Sequence, residues 1–161
     1  MVRELIALAP ESRVWLYAAS RELSYEELDI AREMLLPFLE EWTSHSRELM
    51  CYGNIFHQRF LGIFVDESMA PASGCSIDAS SRFVQQLSEK LKVDFFSRSE
   101  VFSLQNDKIN AWNLQSLSQS YIDGEFNNET LFFDNLVTTK EAFLRSWLVP
   151  LKDSWINRFV R

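Results

Sequence analysis

The densest run of chemically useful side chains is Asp66-Glu-Ser-Met-Ala-Pro-Ala-Ser-Gly-Cys-Ser-Ile-Asp78. It follows the apolar run Leu61-Gly-Ile-Phe-Val65 and leads into Ile77, Val84, Leu87 and Leu91, which are spaced for an amphipathic helix. Ser73, Gly74, Cys75 and Ser76 are therefore expected at a helix N-terminus, where unpaired amides and the helix dipole favour an anion. The same field raises the thiolate fraction of a cysteine placed there. The chemistry to expect is an anion or small-molecule site, or a reactive thiol at Cys75, with Asp66 or Glu67 close by. Against this stands a plainer account, in which Ser73 or Ser76 caps the helix, Gly74 allows a tight turn and Cys75 packs as a small apolar residue. Two nearby carboxylates oppose a thiolate, which favours the plainer account. Asp78 is expected in the first helical turn, where its charge would compete with a bound anion.

Elsewhere the usual constellations are missing. His45 is expected near the end of a first helix and His57 in a hairpin turn, and neither has a neighbour at metal-ligand spacing. A Cys75–His pair is possible only through the fold. The four glycines, Gly53, Gly62, Gly74 and Gly124, are scattered, so there is no phosphate loop and no dinucleotide fingerprint. Gly-x-Ser-x-Gly is absent, which removes a nucleophile elbow. Glu40-Glu41 and Asp66-Glu67 are adjacent carboxylates, and adjacent residues on a helix point apart. No catalytic residue beyond Cys75, no metal ligand set and no cofactor is expected.

The elements that must position these residues follow from pattern. Arg13–Ala18 reads as a strand. Ser24-Tyr-Glu-Glu27 has capping-box spacing and opens a helix to about Ser44, with Leu28, Ala31, Leu35, Phe38, Leu39 and Trp42 on one face. Pro37 should kink or divide it. Leu49–Phe56 and Arg59–Asp66, separated by His57-Gln58, read as an antiparallel hairpin, and residues 75–91 as a second helix. The order β-α-β-β-α predicts a ferredoxin-like two-layer α+β sandwich. Asp94–Phe96 or Glu100–Leu104 would supply its sixth element. Asn106-Asp107 would turn the chain into Lys108–Trp112, and a short helix containing Leu114, Leu117 and Tyr121 would end at Gly124. Thr130–Val137 is a further strand candidate, extending the same sheet in one version. Thr138-Thr-Lys-Glu141 repeats the capping-box spacing and would open a helix through Phe159, interrupted at Pro150. The whole reads as one α+β domain over 1–161, a core of about 13–104 with a C-terminal elaboration over about 105–161.

Composition narrows the class. A chain of 161 residues can bury about 70% of its unfolded surface, ample for one core. The formal net charge of −7 repels polyanions, which argues against nucleic acid and anionic membranes. The apolar stretch Leu5–Ala9 is too short for a signal peptide, and no run is long enough to span a bilayer. Cys51 and Cys75 are then expected as free thiols of a cytoplasmic protein. Trp42, Trp112, Trp147, Trp155 and thirteen phenylalanines exceed the needs of one small core. Phe143 and Trp147, beside Leu144, Leu148 and Leu151, would widen the apolar arc of the C-terminal helix enough for a protein partner or self-association.

Val14-Trp-Leu-Tyr-Ala18, Phe38–His45, Asp66-Glu-Ser68, Ala72–Asp78, Asp94-Phe-Phe96 and Lys152-Asp-Ser-Trp155 together resemble a family of small uncharacterised bacterial proteins of about this length, found mainly in Bacteroidetes. Some members carry the automatic label "ABC transporter ATPase". The resemblance covers nearly the whole chain and implies no particular activity, cofactor or catalytic residue. The label fails on the residues: the phosphate loop and the Leu-Ser-Gly-Gly-Gln-type signature are both missing, and Asp66 after Phe64-Val65 is a weak echo of a Walker B strand end. The sequence thus leads to a non-enzymatic binding or interaction module acting through its sheet or its aromatic C-terminal helix. The alternative is a small-molecule, anion or reactive-thiol site at Asp66–Asp78.

Overall fold

Strand β1, Arg13–Ala18, leads through a turn into α1, Tyr25–Glu41. Ser24 caps α1 in a full capping box: Glu27 N donates to Ser24 Oγ at 3.2 Å and Ser24 N to Glu27 Oε1 at 3.0 Å. A short ribbon follows, β2 (Thr43–Ser44) with β3 (Arg47–Glu48), then the hairpin β4 (Met50–Phe56) and β5 (Phe60–Asp66), and finally α2 (Gly74–Leu91). The three long strands form an antiparallel sheet in the order β1-β5-β4, with Trp15 opposite Ile63 and Ile63 opposite Gly53.

Period-2 alternation sends Cys51, Ile55, Leu61, Ile63 and Val65 to one sheet face, where they share a core with Leu28, Ala31, Leu35 and Leu39 of α1 and Phe83, Val84, Leu87 and Leu91 of α2. Each such side chain contributes about 1.5–3 kcal/mol by burial. Gly53 lets α1 lie close on β4, because a Cβ there would stand 3.0 Å from Leu39 Cδ1 and 3.2 Å from Leu35 Cδ2.

The computed structural model describes residues 1–161, and these pack as two units. The first, Met1–Phe96 with Thr138–Glu141, holds the elements above. Its later segment lies beside β1: Val14 N donates to Thr138 O at 3.0 Å and Lys140 N to Ser12 O at 2.7 Å. The second, Ser97–Val137 with Ala142–Arg161, carries an antiparallel sheet in the order β7-β6-β8-β9. Its strands are β6 (Glu100–Gln105), β7 (Lys108–Asn113), β8 (Leu131–Phe133) and β9 (Leu148–Pro150). Helix α3 spans Leu117–Ile122 and α4 spans Lys140–Ser146. The fold class is mixed α+β with antiparallel sheets. No helix is long and apolar enough to cross a membrane.

Several expected elements change. Helix α1 stops at Glu41, so His45 lies not in a helical turn but in the β2–β3 turn. Pro37 does not divide α1; Pro37 and Glu33 are both exposed, so the Glu33 carbonyl that loses its helical partner faces water. Glu100–Gln105 joins the second sheet rather than the first, Asp94–Phe96 is not a strand, and Leu131–Phe133 pairs with β6. The long C-terminal helix ends at Ser146. Pro150 lacks an N–H and drives Val149 out of helical geometry, and Leu148–Pro150 pairs with β8 instead. Phe143 and Trp147 are buried, leaving Leu144 as the exposed apolar side chain of α4. The tryptophans of this unit are anchored by their indole nitrogens: Trp112 donates to Ser103 Oγ at 2.7 Å, Trp147 to Asn135 Oδ1 at 2.8 Å and Trp155 to Asp134 Oδ1 at 3.0 Å.

Candidate functional site

The start of α2 is built by two serines. Ser76 N donates to Ser73 Oγ at 3.1 Å, and Ser73 N donates to Ser76 Oγ at 2.7 Å. This is the reciprocal arrangement of a capping box with serine in place of the usual Glu or Gln, and it ties up two of the amides an anion would need. Gly74 is the first helical residue and has no positive φ, so it makes no special turn. Nothing lies within 4 Å of a Cβ built there. Asp78 sits beyond the first turn, contrary to expectation, because the helix begins at Gly74.

Cys75 is exposed and Cys51 buried, both as free thiols. Burial pushes the Cys51 thiol up to about 11, and its Sγ donates to Leu39 O at 3.3 Å. Cys75 opens onto a cleft of about 560 Å³ that it shares with Ser73, Ser76, Trp42, Phe38 and His45. His45 reaches this cleft because His45 and Ser46, with φ of 50° and 63°, reverse the chain between β2 and β3. Trp42 fixes the opposite wall: its Nε1 donates to Ser76 O at 2.8 Å.

The two acidic residues expected here face elsewhere. Asp66 is buried and accepts from Ala9 N and Ser68 N, each at 2.9 Å. Burial alone would raise its pKa, but these hydrogen bonds and the Lys140 charge outweigh it and hold the carboxyl below its usual range. Lys140 is itself buried and donates to Leu8 O at 2.6 Å. Glu67 pairs with Arg13 at 3.3 Å. His57 lies in the β4–β5 turn and is not part of the cleft. No group of three or more His, Cys, Asp or Glu is placed to hold a metal ion.

A second concave surface went unread in the sequence. A groove of about 470 Å³ runs between α1 and the outer edge of β4, lined by Leu35, Leu36, Leu39, Arg32, Gly53 and the segment Val2–Glu4. That edge is half covered. Cys51 N donates to Met1 O at 3.0 Å and Arg3 N to Cys51 O at 2.9 Å, a parallel bridge between Val2 and Cys51. Ladder alternation points the next backbone groups, on Gly53 and Ile55, outward as well. Ile55 N is taken by Asn54 Oδ1 at 2.8 Å, while Gly53 has no cross-strand partner on that side. Two signals were present in the sequence. A glycine inside a strand marks a close approach, and the Leu35-Leu36 doublet must place one leucine off the buried arc; Leu36 is 49% exposed.

Comparison with protein-family models, with curated proteins and with solved structures finds no match for this chain.

Proposed function

We propose that the protein is a non-enzymatic cytoplasmic interaction module that takes a protein partner at the outer edge of β4. The observation that carries this reading is the open backbone of Gly53 beside the leucine-lined groove. An unpaired strand edge is a template for another strand, and an adjoining apolar pocket adds side-chain selectivity. The aromatic C-terminal helix, the other surface weighed for this role, is too short and too buried to serve. A ferredoxin-like reading of the first unit goes with the proposal. It is supported by the order β1-β5-β4 and by two helices on one face, though a sixth strand is lacking and Thr138–Thr139 lies along β1. The resemblance to small Bacteroidetes proteins belongs to the same reading.

Photocrosslinking in living cells tests the proposal. A photoreactive amino acid at Leu36 should give a discrete protein adduct, and the same group at Asp107 in the β6–β7 turn should not. No adduct at Leu36, or equal adducts at both positions, would overturn it.

A second reading keeps a specific observation in its favour: Cys75 and His45 share one cleft with Trp42. It makes the start of α2 a small-molecule or reactive-thiol site formed by Ser73, Gly74, Cys75 and Ser76. Native thiol reactivity separates it from the first reading.

A further inference from the structure

We infer that the occupant of the β4 edge is an extended segment of a partner protein, with an apolar residue opposite Gly53 flanked by acidic residues. This rests on the interaction-module reading and goes further by fixing the partner's chemistry.

Extension follows from the backbone. Val2 already pairs with Cys51 as a strand would, and Gly53 offers the next outward N–H and C=O along the same edge. A segment lying there hydrogen-bonds through its main chain, which a folded surface cannot do. The apolar residue follows from the side-chain face. A residue paired with Gly53 projects to the same side of the sheet as Gly53 itself, toward Leu35 and Leu36, and glycine leaves that space unfilled.

The charge follows from Arg3 and Arg32. Both line the groove, both are exposed, and neither has an ion-pair partner, whereas Arg13, Arg21 and Lys152 are each paired with a glutamate. Glu4 is the single carboxylate against them. In a chain of net charge −7, this groove is locally cationic. The same charges disfavour a second copy as occupant, because a two-fold contact through this edge would bring the arginines of both copies together.

A phage-displayed library of random heptapeptides, selected on the intact protein, supplies the probe. Selected sequences should centre on an apolar residue with Asp or Glu on either side, and a synthetic peptide of the winning sequence should protect the Gly53 amide from exchange. Replacing the acidic positions with lysine, or exchanging Arg3 and Arg32 together for glutamate, should weaken binding about tenfold, the size expected of two exposed ion pairs. Both arginines are exposed, so melting of the double variant should match wild type and exclude misfolding as the cause. No enrichment, enrichment in basic residues, or equal binding by the arginine-exchanged protein would overturn the inference. So would a concentration-dependent dimer abolished by Leu36→Glu, which would assign the edge to a second copy. If Leu36 still crosslinks a cellular partner while the acidic preference fails, only the occupant is wrong; if the Leu36 adduct is also absent, the module reading falls with it.

Discussion

Trp42 Nε1 donates to the Ser76 carbonyl across 2.8 Å, joining the residue that ends α1 to the first turn of α2. The bond is buried and spans two elements that approach only through tertiary packing, so it sets the width of the Cys75 cleft. Trp42→Phe keeps an aromatic ring and removes the donor. Its expected cost is about 1 kcal/mol, read as a lower denaturation midpoint.

The two thiols should separate cleanly. In the native protein one equivalent, Cys75, reacts with a disulfide reagent; Cys51 joins it only in denaturant, being buried and held near 11. The rate at Cys75 decides the second functional reading. A rate close to that of an unstructured peptide thiol, unchanged by His45→Ala, leaves an ordinary surface cysteine. A rate more than tenfold higher that falls with His45→Ala would establish a reactive site.

Asp66→Asn should be among the costliest single changes. It weakens the bonds from Ala9 and Ser68 and removes the negative charge opposing buried Lys140, at a cost of about 3 kcal/mol. Amide exchange across residues 6–9 should accelerate in the variant, which a uniformly destabilised protein would not show selectively.

Acid should act early through Glu27. Its carboxyl is lowered from the usual 4.5 to about 2, chiefly by the Arg21 hydrogen bonds and then by the Ser24 amide. A depressed folded-state pKa gives stability that is complete above the unfolded value and fades as pH falls toward the folded one. Glu27→Gln should therefore be less stable than wild type at neutral pH, and the difference should close between pH 4.5 and about 2. A gap that persists at the acid end would assign the effect to packing.

Two glycines should respond oppositely. Gly74→Ala meets no neighbour and suits a helical position, so it should be neutral or stabilise by about 0.5 kcal/mol. Gly53→Ala must displace Leu39 and Leu35 by a few tenths of an ångström and should destabilise by about 1 kcal/mol. Thermal melts of both variants check the contrast.

The first unit was legible in the sequence wherever local chemistry and pattern agreed. Arg13–Ala18, the Ser24 capping box and the two hairpin strands all carry their own signals, and each stands close to its expected place. The C-terminal part was misread because two signals competed. The spacing of Leu144, Trp147, Leu148 and Leu151 suits a helix, but Pro150 and pairing with β8 favour a strand, and pairing partners are not written locally. Cys75 and its serines could be placed at a helix start from spacing alone. That His45 faces the same cleft could not, since it depends on α1 ending three residues early and on a tight turn of two left-handed residues without glycine. Nor could the arginine-flanked groove, because Arg3, Arg32 and Gly53 lie far apart along the chain and meet only through packing.

The segment Thr138–Glu141 has a consequence for biosynthesis. Residues 1–96 leave the ribosome with the whole β1-β5-β4 sheet available, yet Val14, Ser12 and Pro10 receive their partners from residues 138–141 only after 97–137 have been made. Until then Asp66 lacks the Lys140 ammonium, and that end of β1 is a bare strand rim. The nascent chain thus passes through a period in which its first unit is formed but unlatched, the stage at which such edges recruit chaperones or mispair with neighbouring polypeptides. Translation speed across 97–137 then sets how long that exposure lasts.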